Sequence, residues 1–363
     1  MKRLLRCRRQ EQECGATHPS VHGKNVNGRS PPTLSTNEVP RQPAQPLLSP
    51  TPMGRPLRRQ APGQYYLITA RCHQARFFLR PDTDLNLAVL EWLTRAQRQF
   101  PELRILAACV MSNHLHLVVH DQAGQLAAWA SYFLGNLARA VNRLRERSGA
   151  CFDRRYSAEP ILDDEALVDR LVYTVTNPVK AGLCSRTDQW PGVVLFARRS
   201  RREEFPVSWT DRDQERRERA RARPRGEAPP GSETFRVEAS LAIDPLPTEM
   251  GESRDAPLIA AIEAREAELA AERRKAGLRP LGSARILAQS WHAAPRHPKR
   301  APRPLCHAAN PALRKAFREG FRTFVDLFRE ASERLREGVL IAFPEWSFPP
   351  GRPLVRPALA GTG

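Results

Sequence analysis

Residues 111–120 read MSNHLHLVVH, and one leucine separates His114 from His116. On a β-strand successive side chains alternate between faces, so these imidazoles share a face, roughly 6.6 Å apart at about 3.3 Å per residue. Two neutral imidazoles so placed can converge on one divalent ion. The same alternation sends Leu115, Leu117 and Val119 toward a core and puts His120 on the histidine face. By itself a His-x-His pair in a strand more often consists of surface or hydrogen-bonded histidines. The metal reading therefore needs support from elsewhere in the chain.

A second chemically capable group follows in DDEALVDRLVYTVTN, residues 163–177. Asp163 can cap a helix whose first turn is acidic, as the helix dipole favours. Leu167, Val168, Leu171, Val172 and Val175 cluster on one side at 100° per residue, and Tyr173 lies almost opposite them. Asn177 falls one turn later on the Tyr173 side; because Pro178 follows, it could equally cap the next turn. A tyrosine outside the apolar stripe is not placed to fill a core. It can be a plain surface residue or a nucleophile, and with a free pKa of about 10 it then needs a metal or base nearby. Among the five tyrosines, Tyr65 and Tyr66 belong to an apolar strand and Tyr132 to an arginine-striped helix. Tyr156, after Arg154 and Arg155, is the serious rival to Tyr173. Arg154, Arg155 and Lys180 are candidate phosphate contacts, with solvated surface charge as the alternative.

These groups need a scaffold. YYLITARC (65–72) and RILAACVM (104–111) read as strands, and Ser112–Asn113 as the tight turn of a hairpin leading into the histidine strand. Asp84 can cap a helix to about Gln99 with Leu85, Val89, Trp92 and Ala96 on one side. Leu134, Leu137, Val141 and Leu144 mark a helix within 126–147, with Arg139, Arg143 and Arg147 as a basic stripe and Gly149 at its end. A short strand is expected around Tyr156–Ile161. Residues 1–61 read as a disordered basic arm, 62–196 as the ordered domain that carries these groups, 197–254 as a charged linker with one solvated helix, and 255–363 as a mostly helical C-terminal extension. In the extension, Asn310–Pro311 starts a helix with the stripe Leu313, Phe317, Phe321, Phe324, Phe328, Ala331 and Leu335, and an arginine row at 314, 318 and 322.

A net charge of +19 over 363 residues, with a pI near 10.6, points to a polyanionic partner, most plausibly nucleic acid. No apolar run approaches the roughly 20 residues of a spanning helix, so no membrane role is expected. Seven scattered cysteines without a CxxC pair, and a start lacking a secretory apolar core, suit a reducing cytoplasm, with the protein on the nucleoid when DNA-bound. Cys7, Cys14, His18 and His22 match none of the usual zinc-finger spacings.

Three segments in order, MSNHLHLVV (111–119), FDRRY (152–156) and YTVTNPVKAGL (173–183), closely resemble the HUH single-tyrosine transposases, in particular their REP-associated branch. The resemblance covers roughly 62–196, and the opening strand YYLITARCHQARFFL (65–79) shares in it. The family commonly has Trp where this chain has Phe152, a mild departure. The resemblance implies an α/β (α+β) domain with a central antiparallel sheet and helices packed on it, on an RRM-like or ferredoxin-like plan. It assigns His114 and His116 to a divalent metal (Mg2+ or Mn2+), Asn177 to the third ligand and Tyr173 to the nucleophile. It also implies cleavage and transfer of single-stranded or hairpin DNA through a covalent 5′-phosphotyrosine, and leaves room for a homodimer. Another HUH nicking enzyme, a relaxase or replication initiator, is the nearest alternative. A noncatalytic RRM-like RNA binder would need aromatics projecting from the sheet, and aromatics make up only 7% of this chain.

Overall fold

The computed structural model describes residues 57–153, 155–222, 231–247, 255–295 and 304–350. The expected basic arm, apart from its last residues, lies outside these, as do Cys7, Cys14, His18, His22 and Arg154. In chain order come β1 (Gln64–Arg71), α1 (Thr83–Gln99), β2 (Leu103–Met111), β3 (His114–Asp121), α2 (Leu126–Leu144) and β4 (Ser157–Ile161). This βαββαβ run pairs in the order β4-β1-β3-β2, the ferredoxin-like plan, and β5 (Val194–Phe196) extends it beyond β2. All pairings are antiparallel, and β2 and β3 form the expected hairpin, with Met111 opposite His114 across Ser112–Asn113.

One sheet face carries Tyr66, Ile68, Ile105, Val110, Leu115, Leu117 and Val119. These pack against Leu85, Val89 and Leu93 of α1 and Trp129, Phe133, Leu137 and Val141 of α2. Leu134 and Leu144, expected in the α2 stripe, are only partly buried at its margin. The cap of α1 is Asp82 rather than Asp84: its backbone is extended and its carboxylate accepts from Leu85 N–H at 2.8 Å, leaving Asp84 in the first turn. Asp121, fully buried at the end of β3, accepts from the N–H groups of Gln125 and Leu126 at 2.8 and 2.9 Å and so fixes where α2 starts.

The opposite face is also covered. α3 (Asp164–Val175), capped by Asp163 as expected, packs Leu167, Leu171, Val172 and Val175 on Leu67, Leu106, Ala107 and Val118. A bulge between Ile105 and Ala107 puts the consecutive Leu106 and Ala107 on this same face. After the short α4 (Asn177–Lys180), the stretch expected as a linker is instead structured. β6 (Glu203–Thr210), α5 (Arg212–Ala222) and β7 (Arg236–Ile243) form a two-stranded layer whose Val207, Trp209, Leu241 and Ile243 join the core beside α1. The dense Arg and Glu of 212–222 sit on an exposed helix, while the alternating apolar residues on either side form strands. The C-terminal segment is likewise integrated: α6 (Asp255–Lys275) places Leu258 and Ile262 against the α3 layer, and α7 (Ser283–Leu287) adds Ile286 beside α4. His307 pairs with β4 through His307 N–H to Pro160 O (2.8 Å) and Leu162 N–H to His307 O (2.9 Å). In α8 (Pro311–Arg336), capped by Asn310 as expected, only Phe324 and Ala331 are buried; Phe317 stacks on Phe321, and Phe321 and Phe328 meet Phe324 at tilted angles.

The Asp82 carboxylate also takes the nearly buried Arg145 guanidinium at 2.6 Å, joining the start of α1 to the end of α2. Burial alone would raise its pKa, but the Leu85 and Arg145 bonds outweigh it and hold the carboxyl below its usual value. That stabilisation is present above the ordinary aspartate range and is lost as pH falls through the lowered value. Asp82→Ala, which removes the cap and strands a buried cation, is expected to cost about 3 kcal/mol in urea unfolding, with Asp82→Asn milder because the cap survives.

Candidate active site

β3 lies at the centre of the sheet, and its alternation places the histidines as expected: Leu115, Leu117 and Val119 enter the α1/α2 core, and His114 and His116 face the α3 side. Covering that face means the imidazoles need partners. His116, 5% exposed, shares a 2.9 Å hydrogen bond through Nδ1 with Thr69 Oγ1, directly across in the β1 register. His114 Nδ1 donates to Asn113 Oδ1 at 2.7 Å, and the Asn177 amide hydrogen-bonds the same ring. With each Nδ1 engaged, Nε2 is the nitrogen through which each ring would take a metal. The ring centroids are 4.9 Å apart.

Tyr173 comes to this pair from α3. Its ring stands edge-on to His116 with centroids 5.4 Å apart, so the side of α3 outside the apolar stripe looks onto the histidines. The helix stops at Val175, and Asn177 opens α4 with Pro178 in its first turn. The capping alternative does not hold: Thr176 precedes α4, no side chain caps it, and Asn177 is its first residue, buried and reaching His114. α4 is clamped from outside the 62–196 stretch. Val179 packs with Met111, Leu269 and Ile286, and the Arg273 guanidinium donates to the Val179 and Cys184 carbonyls.

Two cations flank the tyrosine ring. Lys180 Nζ is 4.6 Å and Arg170 Cζ 5.0 Å from its centroid. Lys180 was anticipated; Arg170, three residues before Tyr173 and hence on the same helix side, was missed although its spacing signals it. Arg155 is exposed. The other tyrosines are elsewhere: Tyr66 and Tyr156 in the α1/α2 core, Tyr132 against Trp92 and Phe100, and Tyr65 stacked on His120.

Burial, helped by the nearby Arg71 charge and opposed by the Asn177 bond, pushes His114 down from 6.5 to about 4. The ring is therefore neutral near pH 7, the form a metal requires. Among the described residues no three His, Cys, Asp or Glu side chains gather as a metal cluster; the groups that meet here are two imidazoles and an amide.

The fold and this grouping define a class: a ferredoxin-like α/β domain in which a strand-borne histidine pair faces a helix-borne tyrosine and asparagine. No protein-family model matches the chain. Among curated proteins it is 28% identical over 115 residues to one from Haemophilus influenzae named "Putative REP-associated tyrosine transposase". That match covers 29% of this chain and 65% of the relative, just under two thirds of its length. The chain is thus similar in sequence to the REP-associated tyrosine transposases, as its motifs implied. Among solved structures it is similar to a REP-associated tyrosine transposase bound to a REP hairpin, at 17% identity and a TM-score of 0.34, over 39% of this chain and 81% of that one.

The lowered His114 value has a consequence for stability. Between pH 7.5 and 5 the unfolded chain gains a proton at this position that the folded chain refuses, so stability present above about pH 6.5 is lost on acidification. Metal-free urea titrations are expected to show about 2 kcal/mol of loss over that interval from this group, absent in His114→Gln.

Proposed function

We propose that this protein cleaves single-stranded DNA at hairpin-forming ends and transfers the strand through a covalent 5′-phosphotyrosine. The observation that carries the reading is the meeting of His114, His116 and Asn177 with Tyr173, brought together from a strand and a helix far apart in sequence. The curated relative's name supports transposase-type DNA processing. α3 covers the histidine face over Leu67, Leu106, Ala107 and Val118, which disfavours the RRM-like alternative, whose bases stack along an open sheet face.

His114, His116 and the Asn177 amide oxygen would hold a divalent ion, Mg2+ or Mn2+, and the neutral His114 ring and the engaged Nδ1 atoms fit that use. When bound, the ion would supply Lewis-acid stabilisation of charge on the phosphate oxygens. Tyr173 Oη attacks phosphorus; the bond from phosphorus to the 3′ oxygen breaks; the phenol proton is released and the 3′ oxygen takes one up. Lys180 and Arg170, beside the ring, meet the incoming phosphate charge. Thr69 and Asn113 hold the imidazoles in orientation. Arg154 and Arg155 would add phosphate contacts, together with the net charge of +19. The phosphotyrosine retains the bond energy, so the released 3′-OH of a second strand can attack it and rejoin DNA without a nucleotide cofactor.

Denaturing gels with hairpin single-stranded DNA and Mn2+ are expected to show a covalent protein–DNA adduct for the wild type and none for Tyr173→Phe, with binding retained. Unchanged cleavage by Tyr173→Phe would remove the nucleophile assignment. Thr69→Val should weaken metal affinity about 10- to 100-fold by calorimetry while leaving the tyrosine in place.

A further inference from the structure

His120 is the third histidine on the face of β3 that carries His114 and His116, and it takes no part in the site above. It lies four residues beyond His116, roughly 13 Å along the strand. Its ring stacks on Tyr65 of β1 with centroids 4.1 Å apart and planes within 14°. Both rings line a cavity of about 180 Å³, with Arg104 of β2 exposed at its rim and Asp244 and Leu246, from the turn after β7, as the far wall. Asp244 is 9% exposed, and its Oδ2 has no hydrogen-bond partner. A buried carboxylate oxygen without a donor is costly and calls for one. Arg104 lines the same cavity yet forms no ion pair with it among the described residues; its Nε donates to Gln122 Oε1 at 3.0 Å.

Stacked flat rings, an acceptor buried in the wall and a cation at the mouth together match the three parts of a nucleotide: base face, base edge and phosphate. We infer that Tyr65, His120, Asp244 and Arg104 form a pocket for one base of the single-stranded DNA substrate, selective for bases bearing an exocyclic amino group. The inference rests on the DNA-processing function proposed above and adds a specificity element to it. Adenine, cytosine and guanine each present an amino donor that Asp244 can accept. Thymine offers only a ring N–H flanked by two carbonyl oxygens, which the carboxylate repels. The base continues the Tyr65–His120 stack, and the Arg104 guanidinium meets its phosphate. Asp244 reaches the pocket because its own N–H donates to Ile105 O at 2.8 Å, anchoring the turn after β7 to the bulge in β2. The 197–254 layer thereby contributes to substrate choice.

The test uses the full-length protein and 5′-fluorescein-labelled (dC)8, (dA)8 and (dT)8, read by anisotropy in EDTA so that binding is measured without cleavage. Wild type is expected to bind (dC)8 and (dA)8 about fivefold or more tightly than (dT)8, and Asp244→Ala to flatten that ratio. Asp244→Asn, which keeps the side-chain shape but adds a donor, should flatten it as well, and thermal melts establish that both variants fold. Photocrosslinking with 5-iodocytosine in place of one cytosine should map to peptides containing Tyr65 or His120. Ratios identical in wild type and both variants, or crosslinks confined to other peptides, would overturn the pocket while leaving DNA binding intact. Absence of binding to any octamer or hairpin at low salt would overturn the DNA-processing reading together with it.

Discussion

A central strand covered by helices on both faces can carry a polar side chain only where a neighbour satisfies it, and that constraint organises this protein. β3 gives Leu115, Leu117 and Val119 to one core and Val118 to the other. The histidines between them are tolerated because Thr69 and Asn113 take their Nδ1 atoms. The same bonds that make burial affordable also fix each ring's orientation and leave Nε2 as the nitrogen turned away from them. Burial keeps His114 neutral. Packing and chemical readiness therefore have one cause.

The partner half of the site is positioned by a different device. α3 is anchored by its Asp163 cap and its apolar side, which brings Tyr173 to the histidines at the helix's C-terminal end. A break at Thr176 and the new turn at Asn177 then direct the amide to His114, and α6 holds that turn through Arg273. A segment that looks appended in sequence is thus structurally part of the site's support. The β6–β7 layer has a similar relation to the opposite core, where Trp209 and Ile243 close the packing beside α1.

Much of this was legible in the residues. Period-two alternation identified the faces of β3, and helical spacing separated Tyr173 from the apolar stripe of α3. Caps at Asp163 and Asn310 were readable because a short polar side chain before an apolar period has few other uses. The 197–254 stretch was misread because charge density dominated its composition, while only alternate positions such as Phe205, Val207 and Trp209 carry the strand signal. Asp82 was passed over for Asp84 because either spacing suits a cap, and only the extended backbone at Asp82 selects it. Arg170 was recoverable from its three-residue spacing to Tyr173, whereas Thr69 was not, since nothing local links it to His116.

The sequence by itself determined the chemical types available and the local periods that place them on faces: two imidazoles on one side of a strand, and a tyrosine and an amide one turn apart. These are properties of neighbouring residues, set by backbone geometry. Tertiary structure alone decided which distant groups meet. The β1–β3 register sets Thr69 against His116, α3 lays Tyr173 beside it, and the anchoring of Asp244 to Ile105 brings a carboxylate to the Tyr65–His120 stack. Such meetings depend on strand order and on burial of both sheet faces, which emerge only when the whole chain packs.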